Sequence, residues 1–307
     1  MSGMSTSGTM SVGWIDYLIV GGGAAAATAA ATLRLEDERG SIAILSAESI
    51  APYHRPALSK QFLADKAGEG QILVHPESFY RERNIELHLG QEVIALDTAA
   101  QIVKTSANRH YRYKRLLLAT GARPKRLSLP GRSFRGVHYL RNMSECMAIK
   151  REIAGGVKRA VVLGASFLGM EVAMTLAELG LEVTVVEARD RVLTHLESIR
   201  LSQYFARHAE DRGVSLLLGD TVASIRGADR ITEIETGSGA RLSCDLLVVC
   251  IGVEPATDFL RNSGIALDEG RIAVDEQLRT NIADIFAAGD ATNFLDPVFA
   301  RRRHIEH

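Results

Sequence analysis

The sequence predicts an α/β fold that uses one unit twice: a buried strand, a glycine turn, a helix and a second strand. Three observations predict it. Residues 15–20 read Ile-Asp-Tyr-Leu-Ile-Val, followed by Gly21-Gly22-Gly23 and an alanine-rich run to Ala31. Residues 159–163 read Arg-Ala-Val-Val-Leu, followed by Gly164-Ala-Ser-Phe-Leu-Gly169, a helical run closed by Gly180, and a strand ending at Glu187. The chain has 307 residues, 46% hydrophobic and 24% charged, the composition of a globular protein with room for two ordinary domains.

Each element of the first unit has a physical reason. A short apolar run before glycines is what a buried parallel strand presents, and alanine is the strongest helix former. Gly21, Gly23 and Ala26 occupy the three places of the dinucleotide fingerprint Gly-x-Gly-x-x-Gly/Ala. Gly21 allows the tight turn, Gly23 lets the backbone approach a pyrophosphate, and Ala26 is small enough for helix to pack on strand. The helix N-terminus then offers free N–H groups to that pyrophosphate. A second buried strand at 41–45 ends near Glu48, the candidate to hold a ribose hydroxyl, with Ala47 in an equally suitable slot.

The next segment, 52–60, carries two prolines that should keep it extended to Leu58, with a short helix over 59–63. Arg55 and Lys60 on this stiffened loop suit anion contacts, or form a solvated loop. Short strands are expected at 85–89, 93–96, 101–105 and 111–119, closed by Thr120-Gly121. Pro124 and Pro130-Gly131 then read as a linker at a domain boundary.

The second unit departs from the first at one place. Ser166 stands where the second glycine belongs, crowding the closest approach to a pyrophosphate or donating a hydrogen bond to it. A hydrolase nucleophile elbow fits poorly, because its closing glycine is one position late. Glu187 should accept hydrogen bonds from an adenosine ribose and repel a 2′-phosphate, predicting NADH over NADPH, although Arg189 and Arg191 lie close by. An amphipathic helix over 198–212, strands at 214–218, 222–226 and 231–235, and one long strand over 241–251 follow, with 252–255 as the exit. Residues 285–290 place Asp290 directly after a buried strand and Gly289, where it suits a ribityl or ribose hydroxyl.

Composition excludes several classes. A net charge of −1 lacks the basic excess of a nucleic-acid binder, and no apolar run approaches the roughly 20 residues that span a bilayer. Residues 1–13 have neither a basic nor an apolar segment of a signal peptide and read as a disordered lead-in, so cytoplasm is the default. Three cysteines make no disulfide framework and include no Cys-x-x-Cys, and Cys244 and Cys250 on one strand would stand roughly 20 Å apart. Only His304 and His307 have metal-like spacing, without further ligands, so no metal is expected.

Together these stretches resemble the two-dinucleotide flavoproteins of the pyridine nucleotide–disulfide oxidoreductase fold, most closely the ferredoxin and rubredoxin reductases and the apoptosis-inducing-factor-like branch. The residues carrying the resemblance are Gly21 to Gly23, Pro52 to Lys60, Leu118-Ala-Thr-Gly-Ala-Arg123, Val137 to Arg141, Gly164 to Glu171, Val183 to Glu187, Cys250 to Pro255 and Phe286 to Asp290. The resemblance implies two Rossmann-like, three-layer ββα domains: FAD binding in 14–122 and 248–307, with an NAD(H) domain, 123–247, inserted. By it Gly21, Gly23, Ala26, Glu48, Arg55, Lys60, Val93, Thr120, Gly121, Arg123, Arg141, Gly289 and Asp290 serve FAD. Gly164, Ser166, Leu168, Gly169, Glu171, Glu187 and Gly252 serve the nicotinamide nucleotide. Lys60, paired with Glu171, would lie near the flavin's reactive nitrogen.

The implied function is transfer of electrons from NADH through FAD to an iron–sulfur protein, ferredoxin-like or Rieske-type. The alternatives are an NADH-binding flavoprotein with a signalling role, or an NADH oxidase or quinone reductase. With no cysteine before position 146, a sulfur relay in the first domain is closed. Arg301-Arg302-Arg303 would steer an acidic partner or form a solvated basic run. In the family a tryptophan and a further domain of roughly 100 residues follow the position of His307, so this chain is expected to be a fragment with one side of the flavin uncovered.

Overall fold

The computed structural model describes residues 11–299 and 301–303, and the chain divides into two compact units. The first comprises described residues up to His54, Leu73–Arg123 and those from Glu254 onward. The second comprises Arg55–Ile72 and Pro124–Val253.

In the first unit a parallel sheet runs in the order Ile85–His88, Ile42–Leu45, Ser11–Val20, His110–Leu118. Beyond it, the two halves of His110–Leu118 take different neighbours. Its start pairs antiparallel with Ile102–Thr105, which leads on to Val93–Asp97, and its end pairs parallel with Ile285–Ala287. One strand thus takes two successive neighbours along the same edge. The Ala24–Glu36 helix lays Ala26, Ala27 and Ala30 on Ile19, Ile42 and Ile44, all fully buried. Side chains this small let helix and sheet approach closely, which is why the alanine run is there. A separate sheet of Leu267–Asp268, Arg271–Val274, Thr292–Asp296 and Arg301–Arg303 completes the unit.

The second unit repeats the plan. Its parallel sheet runs Val214–Leu218, Glu182–Glu187, Arg159–Leu163, Leu246–Val249, Val137–Tyr139, beside a three-stranded antiparallel sheet. Among its helices, Met143–Ala154 starts in a capping box between Asn142 and Glu145.

Four expectations are corrected. The first strand begins at Ser11, so the lead-in cannot reach residue 13; residues 1–10 and His304 to His307 lie outside the described residues. Residues 55–59 form a 3₁₀ helix rather than extended chain, because Pro56 sits in its first turn, where its missing N–H is not needed. The second glycine turn is shorter than its motif. The helix begins at Phe167 and Gly169 lies inside it. Finally, 241–251 is not one strand. Arg241–Ser243 belongs to the antiparallel sheet and Leu246–Val249 to the parallel one.

The break falls at Asp245. Its carboxylate accepts from the main-chain N–H groups of Lys158 and Arg159 at 3.2 and 3.0 Å, and from the Arg159 guanidinium at 2.8 Å. These bonds, the one to Arg159's side chain above all, bring its pKa from 3.8 down to about 2. A carboxyl so depressed contributes stability in full above its unfolded value and loses it as pH falls through the folded one. Asp245→Asn should therefore cost about 1–2 kcal/mol near neutral pH. In urea titrations the gap to the unmodified chain should narrow between about pH 4 and pH 2. A gap independent of pH would assign the break to packing instead.

Candidate functional site

After Ser11–Val20 and after Arg159–Leu163 the two units make the same turn under the same constraint. Gly21 has φ +130°, and a Cβ there would collide with the carbonyl oxygen of Ala119 on the neighbouring strand. Gly164 has φ +103°, and a Cβ there would lie 2.5 Å from the carbonyl oxygen of Cys250. Only glycine combines that dihedral with that proximity. Around Gly23, by contrast, the space is open, so its lack of a side chain leaves room beside the turn. Gly169 does the packing work of the third fingerprint position: a Cβ there would strike the carbonyl of Gly164.

Both helices then start bare. Gly23 and Ser166 are the N-caps, neither supplies a side-chain cap, and neither first turn contains an acid. The helices at Met143–Ala154 and Ile199–Glu210 differ: Asn142 and Ser198 close their N-termini with side-chain bonds. Ser166 Oγ is turned to the Cys250 carbonyl at 3.5 Å. Helix N-termini without a side-chain cap suit the phosphates of a dinucleotide, so the residues of both units fit such a cofactor, with Gly23 adding open space in the first.

Around the first turn, Thr120 Oγ1 donates to the carbonyl of Ala256 at 2.8 Å, and the Ala256 N–H to the carbonyl of Gly121 at 3.0 Å. Gly289, at φ +80°, faces Ala25 of the helix. The carbonyl of Asp290 accepts from Arg271. Glu48 receives the Tyr53 hydroxyl at 2.5 Å. Arg123 pairs with Glu254 at 2.8 Å and with Asp258, tying the strand ends together. Val93 stands apart, at the start of the Val93–Asp97 strand against the unit's core.

In the second unit Glu187 is oriented by main chain alone. It accepts from the N–H of Ala165 in the turn at 2.6 Å and from that of Arg189 at 3.0 Å. Arg191 is directed to Ser202 at 3.0 Å. Gly252, at φ +97°, accepts from the Lys125 N–H at 3.0 Å. Leu168 lies half-buried in the first turn of its helix. Arg55 donates to the carbonyl of Arg141 at 2.6 Å. Lys60 Nζ lies 2.6 Å from Glu171 Oε2, the pair being partly exposed. Sequence reasoning missed Ser59 and Thr175, whose hydroxyls bond Glu171 and the Ser59 carbonyl. Ser59 lies inside the Pro52 to Lys60 stretch but had no role assigned to it, and Thr175 belongs to no motif, so neither was singled out. It also gave no warning that Arg302 and Arg303 bond Asn293 and Asp296 of their own sheet.

All three cysteines are buried free thiols, and burial pushes each up to about 12. They are protonated at neutral pH and unsuited to thiolate chemistry.

A family model described as pyridine nucleotide-disulphide oxidoreductase matches residues 15–307. The chain belongs to this family. Among similar members, the probable ferredoxin reductase CtmF of Castellaniella defragrans is 39% identical over 286 residues, covering 93% of this chain and 69% of that protein. A rubredoxin-NAD(+) reductase of Pseudomonas putida is 35% identical, covering 89% of this chain and 71% of its own length. A ferredoxin reductase structure from Rhodopseudomonas palustris superposes with a TM-score of 0.90 at 32% identity, covering 95% of this chain and 72% of the other. The reductase in a covalent putidaredoxin reductase–putidaredoxin complex gives 0.89 at 29% identity, covering 95% of this chain and 71% of the other.

Because Gly21 combines positive φ with a backbone collision, Gly21→Ala should destabilise the chain by roughly 2 kcal/mol or more. Gly23→Ala, at open extended backbone, should cost under about 1 kcal/mol. Chemical denaturation of the two variants checks this, and equal losses would refute the assignment of the constraint to Gly21.

Proposed function

We propose that this chain is an NADH-dependent flavoprotein reductase that delivers electrons through FAD to an iron–sulfur protein of the ferredoxin or rubredoxin type. The observation that carries this reading is the repeated turn: two uncapped helix N-termini, each beside a glycine that no other residue can replace. The names of the similar reductases support the reaction and the partner class. The first unit is assigned to FAD and the second to NADH. The FAD-binding part is taken as 14–122 with 248–307 and the NADH-binding part as 123–247, which differ from the compact units at 55–72, 123 and 248–253, and the working place is the cytoplasm.

When bound, the flavin supplies acceptance of a hydride and its release as single electrons. The chain's own residues bind and orient. The turn at Gly21 and Gly23 and the bare start of Ala24–Glu36 hold the FAD phosphates, with Glu48 and Asp290 placed for its hydroxyl groups. The turn at Gly164 and the start of Phe167–Glu178 hold the phosphates of NADH. Glu187, held by two N–H groups, accepts from the adenosine ribose and opposes a 2′-phosphate. Lys60, anchored by Glu171, would supply a positive charge to offset the negative charge that a flavin gains on reduction. The cysteines, buried and protonated, take no part, so electrons leave without a sulfur relay.

The test is spectroscopic. The full chain supplied with FAD should turn yellow, bleach on addition of NADH under nitrogen, and recover its colour with an oxidised ferredoxin-type acceptor. Failure to take up FAD, or colour unchanged by NADH, would overturn the reading. Acceptor-independent oxidation of NADH in air would favour an oxidase, and a reduced complex that no acceptor reoxidises would favour a signalling role. The orientation of Glu187 predicts kcat/KM roughly tenfold or more higher with NADH than with NADPH. Steady-state kinetics with both nucleotides decides this.

A further inference from the structure

We infer that Ser59 and Thr175 are positioning residues for the Lys60–Glu171 pair, through a clamp that one stripe of the Phe167–Glu178 helix closes on residues 55–66. The inference rests on the reading of Lys60 as the cation that serves the flavin, and it deepens that reading.

The geometry is internal to the second unit. Glu171 Oε2 is shared by two donors from adjacent residues, Ser59 Oγ at 2.6 Å and Lys60 Nζ at 2.6 Å. Thr175 follows Glu171 by one helical turn, and its hydroxyl donates to the main-chain carbonyl of Ser59 at 2.8 Å. Glu178 continues the stripe and pairs with Lys66. Positions 171, 175 and 178 fall at i, i+4 and i+7, so they share one helix face. The neighbouring helix Met143–Ala154 holds the same segment from another side. Cys146 Sγ donates to the Leu58 carbonyl at 3.2 Å, and Lys150 reaches the Phe62 carbonyl at 3.0 Å and Asp65 at 2.5 Å.

Exposure decides which contacts matter. Lys60 and Glu171 have side-chain exposures of 44% and 30%, and an ion pair this wet holds little geometry by itself. Ser59 is only 1% exposed. Its hydroxyl can also reach the Pro56 carbonyl at 3.3 Å, but the short bond to a carboxylate is the stronger. Ser59 therefore fixes the Glu171 carboxylate from the buried side, and Thr175 fixes Ser59 through its main chain. Lys60 Nζ, bonded to Glu171 and lying 3.3 Å from the Pro56 carbonyl, then has a defined place.

The experiment uses the full chain with three substitutions, Ser59→Ala, Thr175→Val and the conservative Thr175→Ser. Its first readout needs no cofactor: the rate at which acetic anhydride acylates Lys60 in the flavin-free chain, read at that residue by mass spectrometry. Ser59→Ala and Thr175→Val should speed acylation several-fold, and Thr175→Ser, which keeps the hydroxyl, should leave it unchanged. The second readout is the limiting rate of flavin reduction by NADH, which should fall roughly tenfold in Ser59→Ala while the Kd for NADH stays within about twofold. Unchanged acylation in Ser59→Ala overturns the clamp whatever the flavin does. Faster acylation with unchanged flavin reduction overturns its link to the reaction. Lys60→Ala separates the two ideas: if it leaves flavin reduction unchanged, the role given to Lys60 fails, while the acylation result still judges the clamp.

Discussion

The constraint on which the structure depends is a close approach of backbones. In each unit the glycine after a central strand, Ser11–Val20 or Arg159–Leu163, passes so near a carbonyl of the neighbouring chain, Ala119 in one and Cys250 in the other, that no side chain fits between. A glycine with positive φ meets that demand and turns the chain sharply into a helix. The helix then begins without a capping side chain. Strand contact, turn and anion-binding end are thus one feature. The alanines of the first helix and Gly169 of the second extend it, because a helix that starts this close to its sheet must keep the facing side chains small.

Repetition of the plan leaves room for differences that follow from single residues. In the first unit His110–Leu118 runs unbroken past both of its neighbours on that edge, Ile102–Thr105 and Ile285–Ala287. In the second the equivalent stretch stops at Ser243 and resumes at Leu246, because Asp245 turns back to the start of Arg159–Leu163. The parallel sheets on either side of that difference have the same core of fully buried aliphatic side chains, so the change in connectivity leaves the glycine turn intact. The charged residues follow the same economy. Arg123, Arg302 and Arg303 hold chain segments together, whereas Glu187 and Glu171 are oriented by donors that leave them beside the turn and beside Lys60.

Much of the fold was legible because it is written in short local patterns. The two glycine turns, the strands around them and the helix at 198–212 each announce themselves within about a dozen residues, by burial period or by an obligatory glycine. Prolines misled at 52–60, since Pro56 reads equally well as a stiffener of extended chain and as the first turn of a helix. The apolar run at 241–251 misled for a related reason: hydrophobic pattern reports burial, not which of two sheets buries it. Of the residues around the two turns and around Lys60, those tied to motifs were named from the sequence, and Ser59 and Thr175 were not. A serine beside a lysine and a threonine inside a helix carry no signal until the chain brings them within 3 Å of their partners.

By itself the sequence determined that two dinucleotide-type turns exist, that Gly21 and Gly164 stand at their bends, and that Glu187 ends the strand following the second. These are properties of a few consecutive residues, and steric exclusion at a glycine acts locally. Only the tertiary structure decided that residues 55–72 belong with the second unit, that Lys60 is held through Ser59 and Thr175, and that Arg123 ties together strands 131 positions apart in sequence. Hydrogen bonds and ion pairs between distant segments depend on where the folded backbone places them. No local pattern of residues encodes that placement.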